Sequence, residues 1–302
     1  MERIATLVYD GGLYRFDELE ELLDDAGAYV LRREDSAVST VAIIAVAEED
    51  KALVEAKVRE IGGTLRQAVL AGSEIAVVAP SPSGKHLPHP TCDISEFLRR
   101  AGAQTILISL ARGVGQEPIL EIDEARLINE CDLAVVVLGD CRYCLQRKKS
   151  AILQGLQVPV VVTGGPSLSK MPHAQGYVSG FGRKVTRVKS SQDIKNLARL
   201  VAVVEACLAK QKDRLYSNLP QLSLPALKQA IEQQIPEIGQ VLSPSPVTVK
   251  IDGLRVKLPF DEFHEPISSA RFMDSHLSDF AVVLRSVLKD YSLVKLKPLS
   301  PP

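Results

Sequence analysis

The chain has 302 residues, 46% of them apolar and 24% charged, with no tryptophan, and its 36 basic residues nearly balance 37 acidic ones. This composition excludes an intrinsically disordered chain and argues against a general nucleic-acid binder. The longest apolar runs, at 41–47 and 133–138, fall far short of the roughly 20 residues that cross a bilayer, and residues 1–9 lack the core of a signal peptide. A cytoplasmic protein is expected, away from membranes and nucleic acid. Five cysteines in that compartment read as ligands, redox groups or core residues rather than staples.

In chain order, residues 4–9, 41–46, 75–79, 105–110, 133–138 and 158–163 read as strands. Several are unbroken Val, Ile, Leu and Ala runs, the pattern of strands buried on both faces of a parallel sheet. Amphipathic stretches at 17–26, 48–61, 93–101, 123–130 and 141–156 read as helices. Asp17, Asp93 and Asp123 stand where N-caps belong, and Gly27, Gly62 and Gly102 stand just past helix ends. The alternation predicts an α/β fold with a doubly wound, mostly parallel, Rossmann-like sheet over residues 1–210. Two rough blocks, 4–70 and 74–209, leave open whether this is one sheet or two lobes at 1–72 and 73–210.

Residues 211–302 differ. Ten of the 18 prolines fall there, and Ser243-Pro244-Ser245-Pro246 reads as a linker. Alternating residues at 247–251 and 254–258 flank Asp252-Gly253, whose tolerance of positive φ signals a hairpin. A helix over 271–288, a strand over 292–296 and a frayed tail complete a small α+β appendage, suited to assembly rather than chemistry.

Three loops at strand ends carry candidate chemistry. Gly139-Asp140-Cys141-Arg142-Tyr143-Cys144 follows the strand at 133–138 and opens a helix, so its two thiols share one side and the helix start favours thiolate. The pair reads as a redox dithiol, half a zinc site, part of an iron–sulfur site, or two cysteines without special role. Four prolines stiffen the loop at 80–92, which holds His86, His89 and Cys92 before a helix start; these are candidate metal ligands. Gly84-Lys85 is not a phosphate-binding P-loop, because residue 79 is Ala and residue 86 is His. Ala111-Arg112-Gly113-Val114-Gly115 is a weak backbone nest for an anion, and Thr163-Gly164-Gly165-Pro166 is a further loop on the same rim. Cys131 and Cys207 read as core. No Ser-His-Asp order, H-E-x-x-H or G-x-S-x-G occurs, so an independent enzyme is disfavoured.

Thr91-Cys92-Asp93-Ile94-Ser95-Glu96-Phe97-Leu98, then Ala111-Arg112-Gly113-Val114-Gly115, then Leu127-Ile128-Asn129-Glu130-Cys131-Asp132-Leu133, then Val158 to Pro166, with Val8-Tyr9-Asp10-Gly11-Gly12 at the start, resemble the methanogenesis marker protein 7 family. The resemblance covers most of residues 1–210. It implies a cytoplasmic archaeal protein that is not an enzyme but an accessory of the complex activating methyl-coenzyme M reductase, alongside other marker proteins and an ATPase. It also implies an iron–sulfur cluster, shared across a subunit interface where this chain supplies too few ligands. Cys92, Cys141 and Cys144, with His89, would hold or border it and relay low-potential electrons toward the nickel cofactor. Arg112 and the amides of Gly113, Gly115, Gly164 and Gly165 would line the site. The alternative is a cofactor-free α/β scaffold in the same assembly.

Overall fold

The computed structural model describes residues 4–79, 90–110, 120–182 and 189–300, with the backbone alone for Cys144, Lys148 and Lys149. The N-terminal segment runs β1 (Ile4–Gly12), α1 (Phe16–Asp25), β2 (Tyr29–Asp35), β3 (Ser39–Ala47), α2 (Lys51–Glu60) and β4 (Thr64–Gln67). The strands lie in the order β2-β3-β1-β4, and every neighbouring pair is antiparallel. This is the split β-α-β-β-α-β arrangement of ferredoxin-like folds, not the parallel sheet that the apolar runs suggest. Burial of both faces explains the discrepancy. Ala5, Leu7 and Tyr9 of β1 and Ala42, Ile44 and Val46 of β3 pack with Phe16, Leu19 and Leu23 of α1 and Val54 and Val58 of α2. Val8, Ile43 and Ala45, which point the other way, are equally buried. The strand β2 escapes sequence reading because Arg32-Arg33-Glu34-Asp35 makes it a charged edge.

The middle of the chain runs β5 (Glu74–Ala79), α3 (Pro90–Arg100), β6 (Gln104–Ser109), α4 (Ile122–Asn129), β7 (Leu133–Val137), a π turn (Cys144–Lys148) passing into a 3-10 stretch (Lys149–Gly155), β8 (Val160–Gly164), β9 (Gly176–Ser179) and α5 (Ser191–Tyr216). Here the expected parallel sheet is present, in the order β6-β5-β7-β8-β9. Counted from β5 this is 2-1-3-4-5, the flavodoxin-like order rather than the first-described Rossmann order. One face, through Ala76, Val78, Ala134, Val136, Val160 and Val162, packs with Ile128 of α4 and with Leu145, Ile152 and Leu153. The other face carries α3 and α5. Ser95 Oγ of α3 lies 2.7 Å from Thr105 Oγ1 of β6, and a Cβ at Gly176 would stand 2.5 Å from Val203 of α5. The stretch read as a helix at 141–156 is therefore helical but not a regular α-helix. Asp17, Asp93 and Asp123 lie inside first turns, and Arg15 and Glu121 occupy the N-cap positions of α1 and α4. Gly27, Gly62 and Gly102 have φ of +60°, +75° and +106°, the left-handed stop that the sequence signals.

The C-terminal segment runs α6 (Leu224–Gln234), β10 (Val247–Lys250), β11 (Gly253–Pro259), α7 (Phe260–Ser269), β12 (Arg271–Phe272), β13 (Ser275–His276), α8 (Leu277–Phe280), β14 (Ala281–Arg285) and β15 (Tyr291–Leu296). An antiparallel sheet, β10-β11-β15-β14, contains the expected hairpin and the expected last strand. The helix expected at 271–288 is instead two short strands, one helical turn and β14. The helix lies one segment earlier, at α7. Met273 (φ +55°) turns the chain between β12 and β13, while Lys289 and Asp290 (φ +52° and +57°) turn it before β15.

The chain divides into two compact units: residues 1–72, 100–102 and 218–302, and residues 73–99 and 103–217. The C-terminal segment thus groups with the first 72 residues, whereas its composition alone sets 211–302 apart. Within that unit α6 and β10 pack against β2, and Lys228 Nζ donates to Val30 O at 3.4 Å.

Candidate functional site

In a 2-1-3-4-5 sheet the chain leaves the first strand toward one edge and returns to pass it on the other face. The strand ends that diverge there leave a crevice at their carboxyl side, where such folds bind ligands. In this protein the strands at that switch point are β5 and β7, neighbouring and parallel. Cys92 is exposed in the first turn of α3, the helix after β5, and Cys141 is exposed four residues past β7. By chain order both residues thus follow the carboxyl ends of these two neighbouring strands.

The chain beyond β7 is tied to the ends of β8 and β9. Leu138 N donates to Thr163 O at 2.8 Å, and Gly165 N donates to Gly139 O at 3.4 Å. From the loop after β9, Gly180 N and Phe181 N donate to Gly165 O and Gly164 O at 3.2 and 3.0 Å. Asp140 reaches over this backbone so closely that a Cβ at Gly165 would lie 1.9 Å from its Oδ1, and one at Gly182 would lie 2.3 Å away. A Cβ at Gly164 would approach Tyr177 Oη to 2.8 Å. Tyr177 donates that hydroxyl to Pro166 O at 2.6 Å. Burial pushes the Tyr177 phenol pKa up; the Arg142 charge opposes this and the Asp140 charge adds to it. Arg142 Nη2 donates to Ser167 O at 2.7 Å. Gly164 and Gly165, read from sequence as a cofactor-contacting loop, thus serve first as places of close packing for Asp140 and Tyr177.

His89, Arg112, Gly113 and Gly115 lie outside the described residues, as does the side chain of Cys144. Iron–sulfur clusters are held by four ligands, usually thiolates. Among the described residues no group of three or more His, Cys, Asp or Glu side chains is placed to hold a metal ion. The described side chains therefore do not by themselves compose a cluster site. Cys131 is buried with Ile128 and Ala134 in the core, as expected, with its Sγ 3.8 Å from Leu127 O. Cys207 is half-buried on α5 among Leu200, Val204 and Leu208, and burial pushes its thiol pKa up.

Sequence reasoning missed a second cluster on the α3–α5 face. Lys189 Nζ pairs with Asp93 Oδ1 at 2.9 Å and stands 5.7 Å from the Phe97 ring centroid. Beside it, Asn196 of α5 donates to Gly180 O at 3.4 Å, and Gly180 has φ of +90°. A small cleft here is lined by Pro90, Asp93, Phe181 and Asn196 among others. Only the capping pattern Ser190-x-x-Asp193 announces this corner in the sequence.

The sequence profile of the methyl-coenzyme M reductase operon protein C family matches residues 4–270. The chain belongs to that family. An uncharacterised protein of Methanocaldococcus jannaschii is 37% identical over 293 residues, covering 97% of this chain and 93% of that protein. Methyl-coenzyme M reductase operon protein C of Methanococcus vannielii is 29% identical over 101 residues, which are 30% of this chain and 51% of that protein. Operon protein C of the methyl-coenzyme M reductase I operon in M. jannaschii is 28% identical over 111 residues, 33% of this chain and 54% of that protein. The chain thus aligns with about half the length of these two named relatives. Among solved structures, the sugar isomerase domain of an RpiR transcription factor from Sphaerobacter thermophilus aligns at 18% identity over 67% of this chain and 89% of that one, with a TM-score of 0.27, too low to argue a shared fold. The family shown is methanogenesis-associated, as the resemblance implies, and carries the operon protein C name rather than that of marker protein 7. Among the described residues no helix is long and apolar enough to cross a membrane.

Proposed function

We propose that this protein is a non-catalytic accessory of methyl-coenzyme M reductase that acts during its activation, in the role the resemblance to marker protein 7 implies, and that its switch-point rim is the working surface. The association with the reductase is supported by membership of the operon protein C family. The choice of surface rests on one observation: Cys92 and Cys141 stand beyond the ends of neighbouring parallel strands, where this topology receives ligands. In the finer reading these thiols, with Cys144, are part of an iron–sulfur site completed by a partner subunit, and the cluster when bound supplies low-potential electrons for the nickel centre. This chain's own part is to present the thiols on fixed backbone.

The second reading, a cofactor-free scaffold, is favoured by Tyr143. Its side chain is 65% exposed beside Arg142, and exposed aromatic and arginine side chains are typical anchors of protein interfaces. Anaerobic co-purification with the reductase and its activating proteins, followed by iron and sulfide assay, separates the two. The cluster reading expects iron that is lost in Cys92→Ser and Cys141→Ser, together with reductase activation. Iron-free complexes of full activating ability, unaffected by these substitutions, would leave the scaffold.

A further inference from the structure

The charges of this chain balance overall but not locally. Residues 141–192 contain nine of the 36 basic residues and none of the 37 acidic ones. Four of the nine fall at 142–149, one at 170 and four at 183–189, each group within twelve residues after a strand end: Val137 of β7, Gly164 of β8 and Ser179 of β9. The residues that lead back into β8 and β9, 150–159 and 171–175, contain no Lys or Arg. These strands are parallel neighbours, so all three cationic stretches start from one rim of the sheet. Arg142, Arg147 and Lys170 are exposed, and among the described residues none of the three pairs with a carboxylate. Arg142 Nη2 donates to Ser167 O at 2.7 Å, which joins the β7 and β8 exits without cancelling the charge. Elsewhere exposed arginines have acidic partners close in the chain, as Arg126 has Asp123 at 3.5 Å and Arg285 has Asp290 at 2.8 Å. Lys189 pairs with Asp93 of α3 at 2.9 Å, an acid from outside the stretch. Like charges gathered on one surface repel, and a partner of opposite charge relieves that repulsion.

We propose that the rim beyond β7 and β8 is a cationic docking surface for an acidic face of a partner protein. Its exposed cations belong to more than one connection, which suits a broad surface rather than a single small anion. Tyr143 is 65% exposed beside Arg142, and exposed aromatic and arginine side chains mark protein interfaces. Single-stranded nucleic acid is instead held by cations interleaved with several stacking rings, whereas Tyr143 is the only exposed Tyr or Phe among the described residues of 141–192. Complementary charge steers the partner to this rim and sets its orientation. The proposal rests on the reading of the rim as the working surface and names its partner's chemistry; it requires neither the thiols nor a cluster.

The test uses the intact protein and two labelled probes of equal length, a polyglutamate peptide and an oligothymidylate, followed by fluorescence anisotropy. The protein binds the peptide at low salt despite its formal net charge of -1, and the affinity falls steeply as salt is raised. Arg147→Gln with Lys170→Gln weakens peptide binding by about fivefold, the loss expected for two exposed ion pairs. Arg147→Lys with Lys170→Arg keeps the charge and keeps the affinity. Arg59→Gln with Lys289→Gln removes the same charge from exposed positions on α2 and before β15, and leaves the affinity at wild type. Absence of peptide binding at low salt overturns the proposal. So does binding that the Arg147 and Lys170 substitutions leave unchanged, a loss matched by the Arg59 and Lys289 pair, or binding of the oligothymidylate alone. Because the peptide needs no partner, the two readings fail separately. Peptide binding by the rim of a protein that neither joins nor activates the reductase overturns the proposed function alone, and reductase activation without peptide binding overturns this surface alone.

Discussion

The five-stranded sheet runs all its strands in one direction, whereas the sheet of the first 67 residues alternates at every step, yet the central strands of both are buried on each face. Unbroken apolar runs such as Leu133–Val137 therefore report double burial, not direction. Direction is set by what joins the strands. Three residues separate β2 from β3, so they must be antiparallel, while α3 and its flanking residues separate β5 from β6 and permit a parallel crossover. The comparison also locates chemistry. Parallel strands bring all their carboxyl ends to one rim, and that rim holds Cys92 and Cys141; the alternating sheet collects no such edge.

The two sheets have separate core clusters, and substitutions sharpen the contrast. Val136→Asp should have the largest effect. A carboxylate at a fully buried position costs well over about 4 kcal/mol. Peptide-resolved hydrogen exchange should show protection lost across β5, β7 and β8 and retained in β1 and β3; equal loss in both sheets would break the separation. Phe16→Ala should cost about 3–5 kcal/mol by denaturant unfolding, because the ring is fully buried, 5.4 Å from Tyr9 and under the Arg33 guanidinium at 4.3 Å. Gly253→Ala should cost about 1–3 kcal/mol in the same assay, since φ is +151° and the added Cβ would lie 2.0 Å from Val294 O. The smallest effect is electrostatic. Hydrogen bonds from Arg15 and then Lys57 hold the Glu18 pKa down at about 2 against an ordinary 4.5. A depressed carboxylate contributes stability that is present above its unfolded value and lost as pH falls through its folded one. Glu18→Gln should thus flatten the acid limb of stability between about pH 4.5 and about pH 2, followed by thermal melts, and lower stability by a nearly constant amount from about pH 4.5 to neutral pH.

Much of this architecture is legible in the residues, unevenly. The strands β5 to β8 announce themselves because parallel cores demand unbroken apolar runs, and the Asp252-Gly253 hairpin because its turn demands positive φ. The strand β2 hides behind its charges, and β14 hides because Leu277, Ala281 and Leu284 mimic helical spacing while the turns beside it use Met, Lys and Asp instead of glycine. At the rim, the sequence places Cys92 after β5 and Cys141 after β7, with β6 between them in the chain, and that β5 lies beside β7 is a neighbour relation no local pattern encodes. Nor does any local pattern reveal that Gly165 and Gly182 face Asp140, since those contacts span long loops.

The 198 positions between Lys228 and Val30, joined by a hydrogen bond, have a consequence for biosynthesis. The parallel-sheet unit is an insert within a host whose halves flank it, so the ribosome delivers the complete insert before α6 and β10 exist to meet β2. The host's opening strands must wait, half finished, for the last third of translation, and the insert that carries the thiols is the part free to mature first.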